Sequence, residues 1–230
     1  MDFSIQDLKT IVKADFSNEN NLKTIDIADV SIDSRSLRNN NNTLFFALRG
    51  QNHDGHLFIE ELISKGIQFF VVEEIPVGLQ NQALFFKVKN SLSAFQQFVA
   101  NYRKKFHFPV IGITGSNGKT IVKEWLNFLL NTDFNIIKSP KSYNSQVGVP
   151  LSVIAINENH NLGIFEAGIS LPNEMEVLEQ IIQPNIGILT SIGSAHNEGF
   201  ESLDQKISEK LKLFKHVSVL ICEHNPKVLN

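Results

Sequence analysis

The stretch GITGSNGKTIVKEW at 112–125 constrains this chain more than any other, because it joins an apolar strand to a helix through a glycine-rich turn. Pro109–Thr114 reads as the strand, and Ile121, Val122, Trp125, Leu126 and Leu129 predict an apolar helical stripe after it. Such a turn aims backbone N–H groups at the positive end of a helix, which makes a cradle for phosphate oxygens. The usual phosphate-loop spelling, G-x-x-x-x-G-K-[ST], needs glycine at position 113. This chain has Ile113 there and carries its glycines at Gly112 and Gly115. The chemistry still reads as nucleotide binding by Thr114, Gly115, Ser116, Asn117, Gly118, Lys119 and Thr120. Lys119 would neutralise β- and γ-phosphate charge, and the Thr120 hydroxyl would join a Mg²⁺ shell.

Around this turn, strand and helix signals alternate. The spacing predicts helix 118–130, strands near 135–138 and 162–166, helix 172–182, strand 185–191, helix 202–214 and strand 217–222. Strands separated by helix-length segments imply parallel βαβ units in a doubly wound α/β sheet. The first hundred residues form a separate α/β pattern. TLFFAL, IQFFVVEE and ALFFKVKN read as strands, and HLFIEELISKG as a helix with Leu57, Ile59, Leu62 and Ile63 on one face, ending at Gly66. SLSAFQQFVANYRKKF predicts a second helix on Leu92, Phe95, Val99 and Tyr102. A boundary near 106 therefore separates a small domain, 1–106, from a phosphate-loop domain, 107–230. The second is expected to be incomplete, because the chain runs out just after a strand.

Open parallel sheets bind ligands beyond the carboxyl ends of their strands. Three polar clusters belong there. KSYNSQVGVPLSV offers Asn144 and Ser145 before a Gly-x-Pro turn, LGIFEAG ends a strand in Glu166, and ILTSIGSAHNEGF carries His196. A strand-end carboxylate suits a hard cation beside ATP. Taken singly, Glu166 reads equally as a helix-cap partner and His196 as an ordinary loop histidine. Their convergence on one sheet edge favours the site. The net charge of −3 and the scattered Lys and Arg argue against nucleic-acid binding. No apolar run approaches the ~20 residues of a membrane span. Cys222 is the only cysteine, and the acid-containing amino terminus lacks a signal layout, so a cytoplasmic protein is expected.

GITGSNGKT resembles the loop G-x-T-G-[ST]-x-G-K-[ST] of the Mur ligases of peptidoglycan synthesis and their folylpolyglutamate synthase relatives. FEAG resembles the family motif whose glutamate binds Mg²⁺, here Glu166, and TSIGSAHNEGF the T-N-I-x-x-A-H motif, here His196. IDSRSLRNNNNTLFFALRGQNHDGHLFIEELISKGIQFFVVEE is similar to the UDP-substrate domain of the MurE and MurF branches. YNSQVGVPLSV and the segment from Glu166 to Phe200 are most similar to the MurF branch. The wording around 166–214 also resembles the ligase half of ligase–alanine racemase fusions.

The resemblance implies an ATP- and Mg²⁺-dependent amide ligase adding D-alanyl-D-alanine to UDP-N-acetylmuramoyl-tripeptide through an acyl phosphate. That role would serve cell-wall building, and a monomer is expected. Asp33, Ser34, Arg35, Asp54 and His56 become candidates for the UDP end, with Asn144 and Ser145 as further substrate contacts. Lys119, His196 and Lys210 are the candidate catalytic residues, and Thr120, Glu166, His196 and Lys210 the candidate metal set. Lys210 falls where the family carries a carbamylated lysine. Three departures stand out: Ile121 where Thr or Ser is common, Asn173 for a glycine, and Lys212 for a glutamate. MurE, a folylpolyglutamate synthase or a non-catalytic nucleotide binder are the alternatives. Without the remaining domain, the isolated chain is not expected to catalyse ligation.

Overall fold

The computed structural model describes residues 5–16, 27–35, 37, 42–50, 53–193 and 199–223. The chain divides into two compact units, Met1–Phe98 and Val99–Asn230. The first runs α1 (Ile5–Val12), β1 (Asp15–Phe16), β2 (Asp29–Ser31), β3 (Thr43–Phe46), β4 (Arg49–Gly50), β5 (His53–Asp54), α2 (Ile59–Ser64), β6 (Phe69–Val72) and β7 (Leu84–Lys87). Helix α3 (Ser91–Arg103) carries the chain across the division. Five strands form a sheet ordered β1-β7-β6-β3-β2, parallel except at β1, and β4 pairs separately with β5.

The unbroken apolar runs of β3 and β6 follow from this layout, since a strand covered on both faces needs no polar alternation. Phe45 packs with Ile59, Leu62, Phe70 and Phe85 on the α2 side. Its neighbour Phe46 meets Phe95 and Phe98 of α3, with ring centroids 5.2 and 5.7 Å away. Helix α2 ends as its sequence predicts: Gly66 takes φ 93°, and the N–H of Ile67 donates to the Leu62 carbonyl at 3.0 Å. Leu57 is a correction. It lies in a 3₁₀ turn, Gly55–Phe58, and is 79% exposed.

The second unit continues with β8 (Val110–Thr114), α4 (Lys119–Leu130), β9 (Ile136–Lys138), α5 (Gly148–Val153), β10 (Leu162–Glu166), α6 (Glu174–Ile182), β11 (Ile186–Leu189), α7 (Leu203–Leu211) and β12 (Val219–Cys222). Its sheet is parallel throughout, in the order β12-β11-β8-β10-β9. After β8 the chain builds β9 and β10 on one side, then crosses to β11 and β12 on the other. That reversal places a topological switch point at the carboxyl end of β8, where such sheets open a ligand crevice. Every residue of β8 and β10 is buried. Ile111, Ile113, Leu162 and Ile164 pack beneath Val122, Leu126 and Leu130 of α4.

Two expectations need revising here. The predicted stripe of α4 merged two adjacent i, i+4, i+8 rows, and only Val122–Leu126–Leu130 faces the sheet. Ile121, Trp125 and Leu129 are exposed, and the one fully buried side chain of the helix is Lys123. The Gly-x-Pro turn is instead the first turn of α5, where Pro150 forfeits no needed hydrogen bond. Among the described residues, no helix is long and apolar enough to cross a membrane.

Candidate functional site

The loop 114–118 is held from beneath by the segment that follows β11. Ser116 N–H donates to the Ser191 carbonyl at 2.8 Å, and the Ser116 hydroxyl donates to the Gly193 carbonyl at 3.1 Å. Thr190 Oγ1 donates to the Asn117 carbonyl at 2.6 Å, and Thr114 Oγ1 to the Ala167 carbonyl at 2.8 Å. Gly115 has φ 151°, and a Cβ there would lie 2.1 Å from Thr190 Oγ1, so no larger residue fits this approach. Gly118, at φ 82°, precedes the first residue of α4 in the left-handed region. The backbone is thus fixed before any ligand arrives, as a phosphate cradle requires.

Three lysines converge on this loop. Lys119 Nζ donates to the Gly115 carbonyl at 2.9 Å, Lys210 Nζ to the same carbonyl at 3.2 Å, and Lys206 Nζ to the Gly193 carbonyl at 2.9 Å. Lys206 and Lys210 are both buried. Burial lowers the Lys119 pKa, opposed by the charge of Glu166 and assisted by that of Lys206. Burial, then Lys119 and Lys206, bring Lys210 down to about 8. Leu203, the first residue of α7, is 42% exposed, whereas Ile207 and Phe214 are buried.

Glu166, fully buried at the end of β10, accepts from the Thr120 hydroxyl at 3.1 Å through Oε2. Ser142 Oγ lies 3.4 Å from Thr120 Oγ1. Glu166 Oε1 stands 2.9 Å from Lys123 Nζ yet receives no hydrogen bond, so this contact is a charge pair without donor alignment. One carboxylate with two hydroxyls is an oxygen set that Mg²⁺ completes with phosphate and water. The residues fit that ion. Among the described residues no group of three His, Cys, Asp or Glu side chains gathers to hold a metal unaided. His196 lies outside the described residues.

The other predicted positions are engaged locally. Asn144 accepts through its carbonyl from Gly168 N–H at 2.8 Å, which ties its loop to the end of β10, and Ser145 Oγ accepts from Gly148 N–H at 3.1 Å. In the first unit, Asp33 forms a two-pronged bond with Arg35, both at 2.9 Å, which holds its carboxyl down at about 2. Ser34 is half-buried in the turn between them. Asp54 caps the 3₁₀ turn through His56 N–H at 3.0 Å and accepts from Arg49 Nε at 3.0 Å. His56 Nδ1 lies 2.7 Å from Asp54 Oδ1, and its Nε2 accepts from Glu73 N–H at 2.9 Å. Both ring nitrogens are therefore used inside the unit, with the proton on Nδ1. Sequence reasoning gave no role to Lys123, on a helix face, to Ser142, in a polar loop, or to Thr190 and Ser191, which open the TSIGSAHNEGF stretch but were passed over for its histidine.

A family model described as "Mur ligase middle domain" matches residues 113–229, and "Mur ligase family, catalytic domain" matches 26–103. The chain belongs to the Mur ligase family. Among the relatives of this Mur ligase chain is a UDP-N-acetylmuramoyl-tripeptide–D-alanyl-D-alanine ligase from Synechocystis sp., 34% identical over 194 residues, covering 84% of this chain and 42% of that protein. The ligase of the same name from Bacillus subtilis is 30% identical over 211 residues, covering 91% and 45%. The chain thus spans less than half the length of these relatives. A crystal structure of MurF from Acinetobacter baumannii shares the fold, with TM-score 0.87, 24% identity and coverage of 98% of this chain and 49% of that one. The MurF ligase of Thermotoga maritima, solved in complex with ADP, gives TM-score 0.78 at 27% identity, covering 88% and 47%.

Proposed function

We propose that this chain carries the nucleotide-binding and UDP-substrate-binding parts of a ligase that adds D-alanyl-D-alanine to UDP-N-acetylmuramoyl-tripeptide at the expense of ATP. The observation that carries the reading is the convergence of Lys119, Thr120 and Glu166 on one pre-formed loop, in a chain whose relatives bear that name. In this reading, residues 107–230 take ATP and 1–106 take the UDP-linked substrate, with Asp33, Ser34 and Arg35 the candidates for contacting it. Asp54 and His56 are occupied as a cap and a brace, so their contribution is to shape that surface.

The chemistry needs a phosphoryl group held in line and its charge balanced. The N–H groups of Ser116 and Asn117 are taken by Ser191, so the backbone N–H groups of 118–120, at the start of α4, would bind phosphate oxygens. Lys119 would leave the Gly115 carbonyl to meet them, and Thr120 and Glu166 would hold the cation. Bound Mg²⁺ would neutralise phosphate charge and orient the transferred group. The tripeptide carboxylate then takes the γ-phosphoryl group, and the dipeptide amine displaces phosphate from the acyl phosphate. His196 joins the metal side in this reading.

Lys210 is proposed to act as a carbamate, formed when its neutral amine adds CO₂ and releases a proton. Its burial and its pKa of about 8 supply the neutral amine, and an anion there would sit favourably between Lys119 and Lys206. Lys212, which departs from the family pattern, is paired with Glu209 at 2.8 Å and points its charge into that pair.

The cytoplasm is the proposed compartment, where UDP-linked substrates and ATP are met together, and a monomer the proposed state. The test is mass spectrometry on a protein continuing this chain to its relatives' length, given ATP, Mg²⁺ and D-alanyl-D-alanine. The UDP-tripeptide should gain two alanine residues. Addition of a single amino acid to a UDP-dipeptide, or of glutamate to a folate, would replace this reading by one of its neighbours in the superfamily.

A further inference from the structure

Lys123 is the most enclosed cation near the phosphate loop, and no motif marks it. It lies one helical turn after Lys119 on α4 and is fully buried. Its Nζ donates to the Ser139 carbonyl at 2.8 Å and to the Lys141 carbonyl, and stands 2.9 Å from Glu166 Oε1. Glu124 Oε1 is 3.2 Å away on the outer side. Ser139 closes the circuit, because its hydroxyl accepts from Glu166 N–H at 3.1 Å. Lys141 holds φ 49°, a left-handed conformation that a non-glycine residue adopts at a cost, and the bond from Lys123 to its carbonyl supports that bend.

We propose that Lys123 is a positioning residue that sets which oxygen of Glu166 faces the nucleotide's cation. The inference rests on the nucleotide-site reading above and adds a residue to it. With Lys123 beside Oε1, the carboxylate is left with Oε2 turned to the Thr120 hydroxyl. The same ammonium anchors the two carbonyls that start the loop bearing Ser142, Asn144 and Ser145. Three segments are thereby set in one register: the phosphate-loop helix, the end of β10 and the loop after β9. A buried ion pair is a poor device for stability alone, since an apolar pair of equal volume is commonly as stable or more so. Its use here is orientation. A partner behind a ligating carboxylate typically governs metal affinity by about 10–100-fold.

The test measures ADP binding to the 230-residue chain by calorimetry, in EDTA and across a Mg²⁺ titration. In Lys123→Met the Mg²⁺ concentration giving half of the magnesium-dependent gain in ADP affinity should rise about tenfold or more. Binding in EDTA should change much less, and Lys123→Arg should fall between the two proteins. A midpoint within about twofold of the unaltered chain overturns the inference and leaves the nucleotide reading standing. Failure of the unaltered chain to bind ADP under either condition overturns the reading and the inference together. Should Lys123→Met not fold, Lys123→Arg decides: a magnesium midpoint raised severalfold supports the inference, and one within about twofold of the unaltered chain overturns it.

Discussion

Replacing Lys210 by Met should change how stability depends on pH, and the sign is fixed by the surroundings of its amine. Lys210 is 4% exposed, donates to the Gly115 carbonyl, and has Lys119 and Lys206 as charged neighbours. Its pKa falls from 10.5 to about 8, so below pH 8 the folded protein bears the full cost of a charged, crowded ammonium. Between pH 8 and 10.5 the unfolded chain keeps that proton while the folded chain has released it. Stability contributed by this group therefore rises with pH across the window, by about 3 kcal/mol in all. Urea unfolding of both proteins in CO₂-free buffer, from pH 7 to 10.5, gives the difference directly and cancels groups that titrate alike in each. The unaltered chain should gain on Lys210→Met as pH rises. Parallel profiles, or a difference that shrinks with pH, would refute the burial argument. Added bicarbonate should stabilise the unaltered chain and leave Lys210→Met unchanged if the carbamate forms.

Other outcomes follow from the same geometry. Gly115→Ala places a methyl group on Thr190 Oγ1 and the Ser191 backbone, and should cost about 2–4 kcal/mol in urea unfolding while abolishing ADP binding. Asp54→Ala removes a cap and the partner of both Arg49 and His56, and should lower stability by about 1–2 kcal/mol without altering ADP affinity. The isolated chain, mixed with ATP, the UDP-tripeptide and D-alanyl-D-alanine, should yield no pentapeptide product by mass spectrometry, and detection of that product would contradict the proposal.

The parts of this fold that were readable are those where periodicity and local chemistry agree. The phosphate loop, the apolar run of β8 and the helix that follows carry compatible signals, and the parallel order of the second sheet follows from the helix-length spacers between its strands. The face of α4 was not readable, because Ile121–Trp125–Leu129 and Val122–Leu126–Leu130 are equally apolar rows and only packing chooses between them. Helix α5 was hidden by Gly148 and Pro150, which read as turn residues until Pro150 is seen in a first turn. At the site, Glu166 could be named because a lone acid ending an apolar strand stands out. Lys123 could not, since Lys beside Glu on a helix reads as a solvated pair. Its meaning depends on Ser139 and Lys141, brought to it by the sheet.

The most direct test of the central claim is a crystal structure of this chain with Mg²⁺ and ADP. The account predicts the β-phosphate at the N–H groups of 118–120, Lys119 Nζ moved from the Gly115 carbonyl to a phosphate oxygen, and the cation between Thr120 Oγ1 and Glu166 Oε2. Nucleotide bound elsewhere, with Lys119 still on Gly115 and no cation at Glu166, would contradict it.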